Sequence, residues 1–146
     1  MDLSGLKWPI IIVVVVGIGF LASSPGINYM VTKFSTSVPG TDPERDKIDE
    51  SGLTRVGGYC MYLFQYEKAM TIMNMAIQRY GTTGANYWYN RYRIVKCLEK
   101  AGRYQEAKDL LEELISSNAK ELDDRVPNND NLRQRAAKLT AVHELK

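Results

Sequence analysis

The sequence predicts an all-α protein: a single N-terminal transmembrane helix, then a short stack of helical hairpins closed by a C-terminal helix. Three observations predict it. An uncharged, apolar run fills residues 8–22. A four-residue echo sets Tyr66-Glu67-Lys68-Ala69 against Tyr104-Gln105-Glu106-Ala107. Each copy opens the same apolar spacing, Ala69, Ile72, Met73, Ala76 and then Ala107, Leu110, Leu111, Leu114. The interval i, i+3, i+4, i+7 returns to one face of a helix, so each segment carries a single apolar stripe. Such helices cannot bury their stripes alone, and repeated ones stack.

The 146 residues allow about one domain plus an appendage. The net charge of +2 gives no general pull toward nucleic acid. Charge is strongly graded along the chain, with nearly every ionisable group after Asp42.

The apolar run begins Trp8-Pro9-Ile10-Ile11-Ile12 and continues through four valines. β-branched residues favour strands, but a strand of this length is rare, and a helix satisfies its own backbone in lipid. The strict run falls short of the roughly 20 residues a span needs. Counting from Leu3, with Lys7 snorkelling, reaches that length. So does continuing to Phe34 through a kink at Ser23-Ser24-Pro25-Gly26. Trp8 and Tyr29 suit the two interfacial belts. Residues 1–34 therefore read as a single-pass membrane anchor. The weak Lys7/Lys33 asymmetry leans toward a soluble domain on the non-cytoplasmic, periplasmic-type side. A cleaved signal peptide is the alternative, since a short basic start and an h-region of this kind fit one. A core helix is disfavoured because nothing polar marks an outer face.

Residues 35–49 read as a linker, polar and with Pro and Gly but no apolar period. Within it, Asp42-Pro43-Glu44-Arg45 suits the start of a short helix with proline in the first position.

Residues 50–146 form the helical domain. Its pattern resembles the tetratricopeptide repeat, a helix–turn–helix unit of about 34 residues. The first unit matches at Gly57, Tyr66, Ala69 and Ala76, the second at Gly102, Tyr104 and Ala107. Small residues let helices cross closely, the aromatic fills the wedge, and glycine makes the turn. Phe64 stands where the turn glycine is usual, and Val95 and Leu114 replace small residues. Ala69 and Ala107 lie 38 residues apart, with the excess assigned to Gly81-Thr82-Thr83-Gly84. The resemblance covers two degenerate units, Glu50 to Ala119. The first helix of unit two carries its own stripe, Ile94, Cys97, Leu98, Ala101. After Asn128-Asn129-Asp130, which offers capping side chains, Leu132, Ala136, Leu139 and Val142 or His143 outline a polar capping helix over unit two.

The resemblance implies an inner surface lined by the first helix of each unit. That places Tyr89, Tyr92, Arg93, Lys96 and Lys100 there from unit two, and Gly58, Met61 and Tyr62 from unit one. Aromatic and basic groups together suit an acidic or C-terminal peptide. The same tyrosines, with Tyr87 and Trp88, equally suit packing between units, and both readings stand. Tyr59, Met61, Tyr62, Leu63 and Phe64 make the first helix unusually apolar, which points to cover by another chain or a second copy.

Catalytic chemistry has no foothold in the pattern. His143 is the only histidine, no nucleophile is spaced to it, and no phosphate-cradling loop or metal-ligand cluster occurs. Cys60 and Cys97 read as buried thiols, with a disulfide left open for an oxidising compartment. No enzyme, cofactor, small-molecule substrate or nucleic-acid partner is expected. The expected function is an anchored interaction module, an accessory or scaffold subunit working with other protein subunits or its own copies at a lipid bilayer. The alternative is an anchored receptor for acidic or C-terminal peptides.

Overall fold

The computed structural model describes residues 4–145; Leu3, counted above toward a span, lies outside them. The described residues form eight α-helices and no strand. They are α1 (Ser4–Ala22), α2 (Ser24–Lys33), α3 (Pro43–Tyr62), α4 (Tyr66–Tyr80), α5 (Tyr87–Lys100), α6 (Tyr104–Ser116), α7 (Ala119–Leu122) and α8 (Asn129–His143).

The straight span expected at the N-terminus is not found among the described residues. Among the described residues no single helix is long and apolar enough to cross a membrane. Helix α1 stops at Ala22, and Lys7–Ala22 with Ser24–Lys33 make a pair bent by 70° that meets the length and composition of a span only together. The break is local chemistry. Ser23 takes an extended backbone and its hydroxyl accepts from the Gly26 amide, which starts a new helix. Pro25 fits that first turn because its missing N–H is not needed there. Gly26 is required by close approach: a Cβ at this position would lie 2.9 Å from Leu21 Cα and overlap the Phe20 carbonyl.

Helix α3 starts as its sequence suggests, with the Asp42 carboxylate accepting from the amides of Glu44 (3.1 Å) and Arg45 (3.2 Å) and Pro43 in the first turn. It is not short. It runs 20 residues and takes in the end of the expected linker. Buried Asp49 holds it there, paired with Arg45 at 2.9 Å and accepting from Ser37.

From α3 onward each helix packs on the next: α3 on α4, α4 on α5, α5 on α6, and α8 on α6. The two stripes face inward as the spacing requires. Ala69, Ile72, Met73 and Ala76 are buried, as are Ala107, Leu111 and Leu114. Leu110 is partly buried against the same core. Ala101 departs from its stripe, because it caps the end of α5 and is exposed. Leu132, Ala136 and Leu139 carry α8 onto the stack. Of the two alternatives for the next position, His143 stacks on Tyr104 (ring centroids 3.4 Å apart), while Val142 faces water.

The echo in the sequence is an echo in geometry. At the end of α3 the Gln65 amide donates to the Cys60 carbonyl (2.9 Å) and the Phe64 amide to Met61 (3.1 Å). At the end of α5 the Arg103 amide donates to Leu98 (2.9 Å) and the Gly102 amide to Glu99 (3.2 Å). Both turns are Schellman motifs, whose pivot needs a left-handed backbone. Gly102 supplies it at φ 77°; Phe64 supplies it at φ 58° with a full side chain. The insertion between units forms a 3-10 turn over Gly81–Thr83. Cys60 and Cys97 are free and fully buried, and burial pushes the Cys97 thiol up to about 11.

Candidate protein-binding groove

Helices α3 and α5 stand side by side and leave a groove of roughly 480 Å³ between their exposed faces, with Arg125 at one edge. Its framework is buried polar pairing. Glu50 on α3 is 5% exposed, and its carboxylate accepts from the amides of Ala85 (3.1 Å) and Asn86 (2.7 Å). That clamps the turn entering α5 against α3, with negative charge at a helix N-terminus where the backbone favours it. One turn further along α3, the Asn90 side chain donates to the Thr54 hydroxyl at 2.9 Å.

The groove's chemistry comes from two guanidiniums around one ring. Arg93 Nη1 donates to the Thr54 carbonyl at 3.0 Å, and its Cζ lies 5.2 Å from the Tyr89 ring centroid. Gly58 makes the space, since a Cβ there would overlap the Arg93 guanidinium. Arg125 Cζ lies 4.5 Å from the same ring. Arg125 donates to Asn86 Oδ1 (2.9 Å) and the Ala85 carbonyl (2.7 Å) and pairs with Asp123 (2.7 Å). Burial raises the Asp123 carboxyl, but the hydrogen bonds and charge of Arg125 outweigh it and hold the group below its ordinary value. Arg55, on α3, adds a third guanidinium to the lining.

The basic character continues along α5. Lys96 Nζ lies 4.6 Å from the Tyr92 ring centroid. Desolvation first, then the charges of Arg135 and Arg93, push its ammonium below the usual lysine range. Arg135, from α8, is held bidentate by Glu99 (2.6 and 2.8 Å) and donates to the Tyr92 hydroxyl at 3.3 Å.

Of the seven residues singled out from sequence, Tyr62, Tyr89 and Arg93 line the groove together. Lys96 lies next along the same basic stripe. Tyr92 is buried and turns toward α8, lining a separate cleft with Glu99 and Arg135. Met61 packs partly buried against the core. Lys100 is exposed in the last turn of α5. Sequence reasoning missed Arg125, Arg55 and Asn86. Arg125 follows a helix of four residues in a loop with no periodic signal. Its place is fixed by neighbouring Val126, which is 1% exposed.

The α5–α6 hairpin has the helix–turn–helix form, the glycine pivot and the inward alanine of the family that the sequence resembles. Residues 89–120 match the tetratricopeptide repeat. This part of the chain is TPR-like, and such repeats are in general protein–protein interaction modules without catalysis of their own. No curated protein and no solved structure matches the chain.

Proposed function

We propose that the chain is a membrane-anchored interaction module, an accessory or scaffold subunit of a larger membrane-associated assembly, with its helical stack on the non-cytoplasmic side. The observation that carries this is the surface of α1. Its large apolar side chains from Trp8 to Leu21 stay between 43% and 71% exposed, on every side of the helix. A soluble chain rarely leaves so long an apolar surface in water, and lipid or other transmembrane helices would cover it. The short stack supports the second half of the reading. Two hairpins with a capping helix lie near the minimum at which repeats are stable alone. Residues 1–34 serve as the anchor in this reading and the helical domain as the partner-facing part. Extraction in mild detergent followed by sizing tests it. The chain is expected to remain in the membrane fraction at alkaline pH and to elute in an assembly larger than one copy. Release by alkali, or a stable solitary monomer, refutes it.

A second reading, an anchored receptor for acidic or C-terminal peptide segments, is favoured by Arg93 and Lys96, neighbouring cations on α5. Cations that crowd one another gain from an anionic partner. Arg93→Glu with Lys96→Glu is expected to abolish capture of an acidic peptide while leaving assembly intact. Surviving capture removes the groove from the mechanism.

A further inference from the structure

Two large aromatic side chains at one end of the helical stack are left mostly exposed. Tyr62 is 83% exposed and Phe64 77%. Phe64 is the more telling. It occupies the pivot of a Schellman turn at φ 58°, the position that glycine holds in the second hairpin. A bulky residue there is strained. Its side chain gains only an edge contact with Tyr66, at 6.3 Å between centroids. Inside the stack only the turn's two backbone hydrogen bonds and that edge contact stand against the strain, and most of the ring's surface is left uncovered.

What lies outside is the end of α1. The residue after Phe64, Gln65, donates from Nε2 to the Ala22 carbonyl at 3.3 Å. Lys68, one turn into α4, donates to the Ser24 hydroxyl at 2.5 Å. The turn bearing the two aromatics is thus pinned to the point where α1 ends and α2 departs at 70°. The uncharged part of α1 then fixes depth. After Lys7, Trp8 to Ala22 rises only about 22 Å, against a hydrocarbon core of about 30 Å. A short span draws its flanking groups into the interface or thins the bilayer toward them. Tyrosine, with a polar edge on an apolar ring, settles at that depth, and an exposed phenylalanine ring buries at the headgroup–acyl boundary just beneath it.

We infer that the α3–α4 turn is a foot that stands in the lipid interface, with Tyr62 and Phe64 seated among the headgroups beside the exit of α1. This rests on the anchored reading above. The occupant is the bilayer itself. The stack is thereby held at a fixed height, with the opposite end of α4, around Thr82, raised into water.

The test places single labelling sites in the full chain: Val15→Cys, Phe64→Cys, Tyr62→Cys and Thr82→Cys. Cys60 and Cys97 are fully buried and do not compete for label in the folded protein. Each variant is reconstituted in phosphatidylcholine vesicles and labelled with a polarity-sensitive fluorophore. Quenching is measured with nitroxide lipids carrying the spin near the headgroup or deep in the chain. The Val15 label is expected to be quenched by the deep nitroxide. The labels at Phe64 and Tyr62 are expected to shift to the blue and lose most of their emission to the shallow one. The Thr82 label is expected to stay water-like. The Tyr62 site keeps the test decisive should the strained Phe64 position tolerate cysteine poorly. If Val15 is quenched while the Tyr62 and Phe64 labels stay wet, the foot is wrong and the anchor stands. The foot is equally wrong if those labels are dry but insensitive to lipid nitroxide, which marks cover by a protein. If Val15 itself is wet, the anchored reading fails and takes the foot with it.

Discussion

Replacing Gly58 with alanine should destabilise the protein, against the usual rule for a glycine inside a helix. Gly58 lies near the C-terminal end of α3, where alanine ordinarily gains about 1 kcal/mol. The opposing term is spatial. The new Cβ would overlap Arg93 Nη2 and lie 3.0 Å from Cζ and 3.2 Å from Nη1, so the guanidinium has to shift, and a shift away from α3 takes it off its partners. Leaving forfeits the hydrogen bond to the Thr54 carbonyl, a charged bond of the class contributing about 1.5–3 kcal/mol. It also forfeits the seat over Tyr89, which contributes about 0.5–1 kcal/mol at a half-exposed site. The losses exceed the propensity gain by about 1–3 kcal/mol. For a domain of this size that is a fall in Tm of roughly 4 °C or more. The double variant Gly58→Ala/Arg93→Ala isolates the cause, because the Cβ then meets no guanidinium and the propensity gain returns. Thermal melts of the full chain in detergent, for both singles and the double, measure the coupling. An increase in Tm for Gly58→Ala alone would falsify the placement of Arg93 in the groove.

Three further outcomes are expected. Phe64→Gly relieves a left-handed strain of about 1–2 kcal/mol at the cost of about 0.5–1 kcal/mol in backbone entropy. Its Tm should hold or rise slightly, and a drop of several degrees means that the ring packs inside the fold. Glu50→Ala strands two amides at the entrance to α5 and should cost about 2–4 kcal/mol in denaturant unfolding. An effect near zero says that the carboxylate does not clamp the turn. Lys96→Met should raise Tm at neutral pH. The Lys96 pKa is lowered in the fold, so the folded state holds that proton less tightly than the unfolded chain does. The charged form therefore costs stability at every pH below the folded value, and the cost fades as pH rises through that value toward 10.5. Melts across that alkaline range should show the gain shrinking, and a lower Tm at neutral pH contradicts the crowding by Arg93 and Arg135.

The sequence by itself determined the helices, their apolar faces and the repeat. Ala69, Ile72, Met73 and Ala76 are buried because a 3.6-residue period is written into the chain locally, and the α-helix converts it to one face without reference to anything distant. The Asp42-Pro43 start of α3 was legible for the same reason, since caps and prolines act within a turn of themselves, and the Ser23-Ser24-Pro25-Gly26 break was legible as one of two ways the apolar run could continue. The groove was legible only in part. Tyr62, Tyr89 and Arg93 followed from their positions on two first helices. Arg125 did not, because a loop residue acquires its neighbours from whichever core contact anchors it, here Val126. The direction of α2, the burial of Glu50 against Ala85 and Asn86, and the pinning of Gln65 to Ala22 were likewise decided by tertiary structure. Each joins residues 35 or more apart, or turns one helix against another, and pairings of that kind carry no local period for a sequence to display.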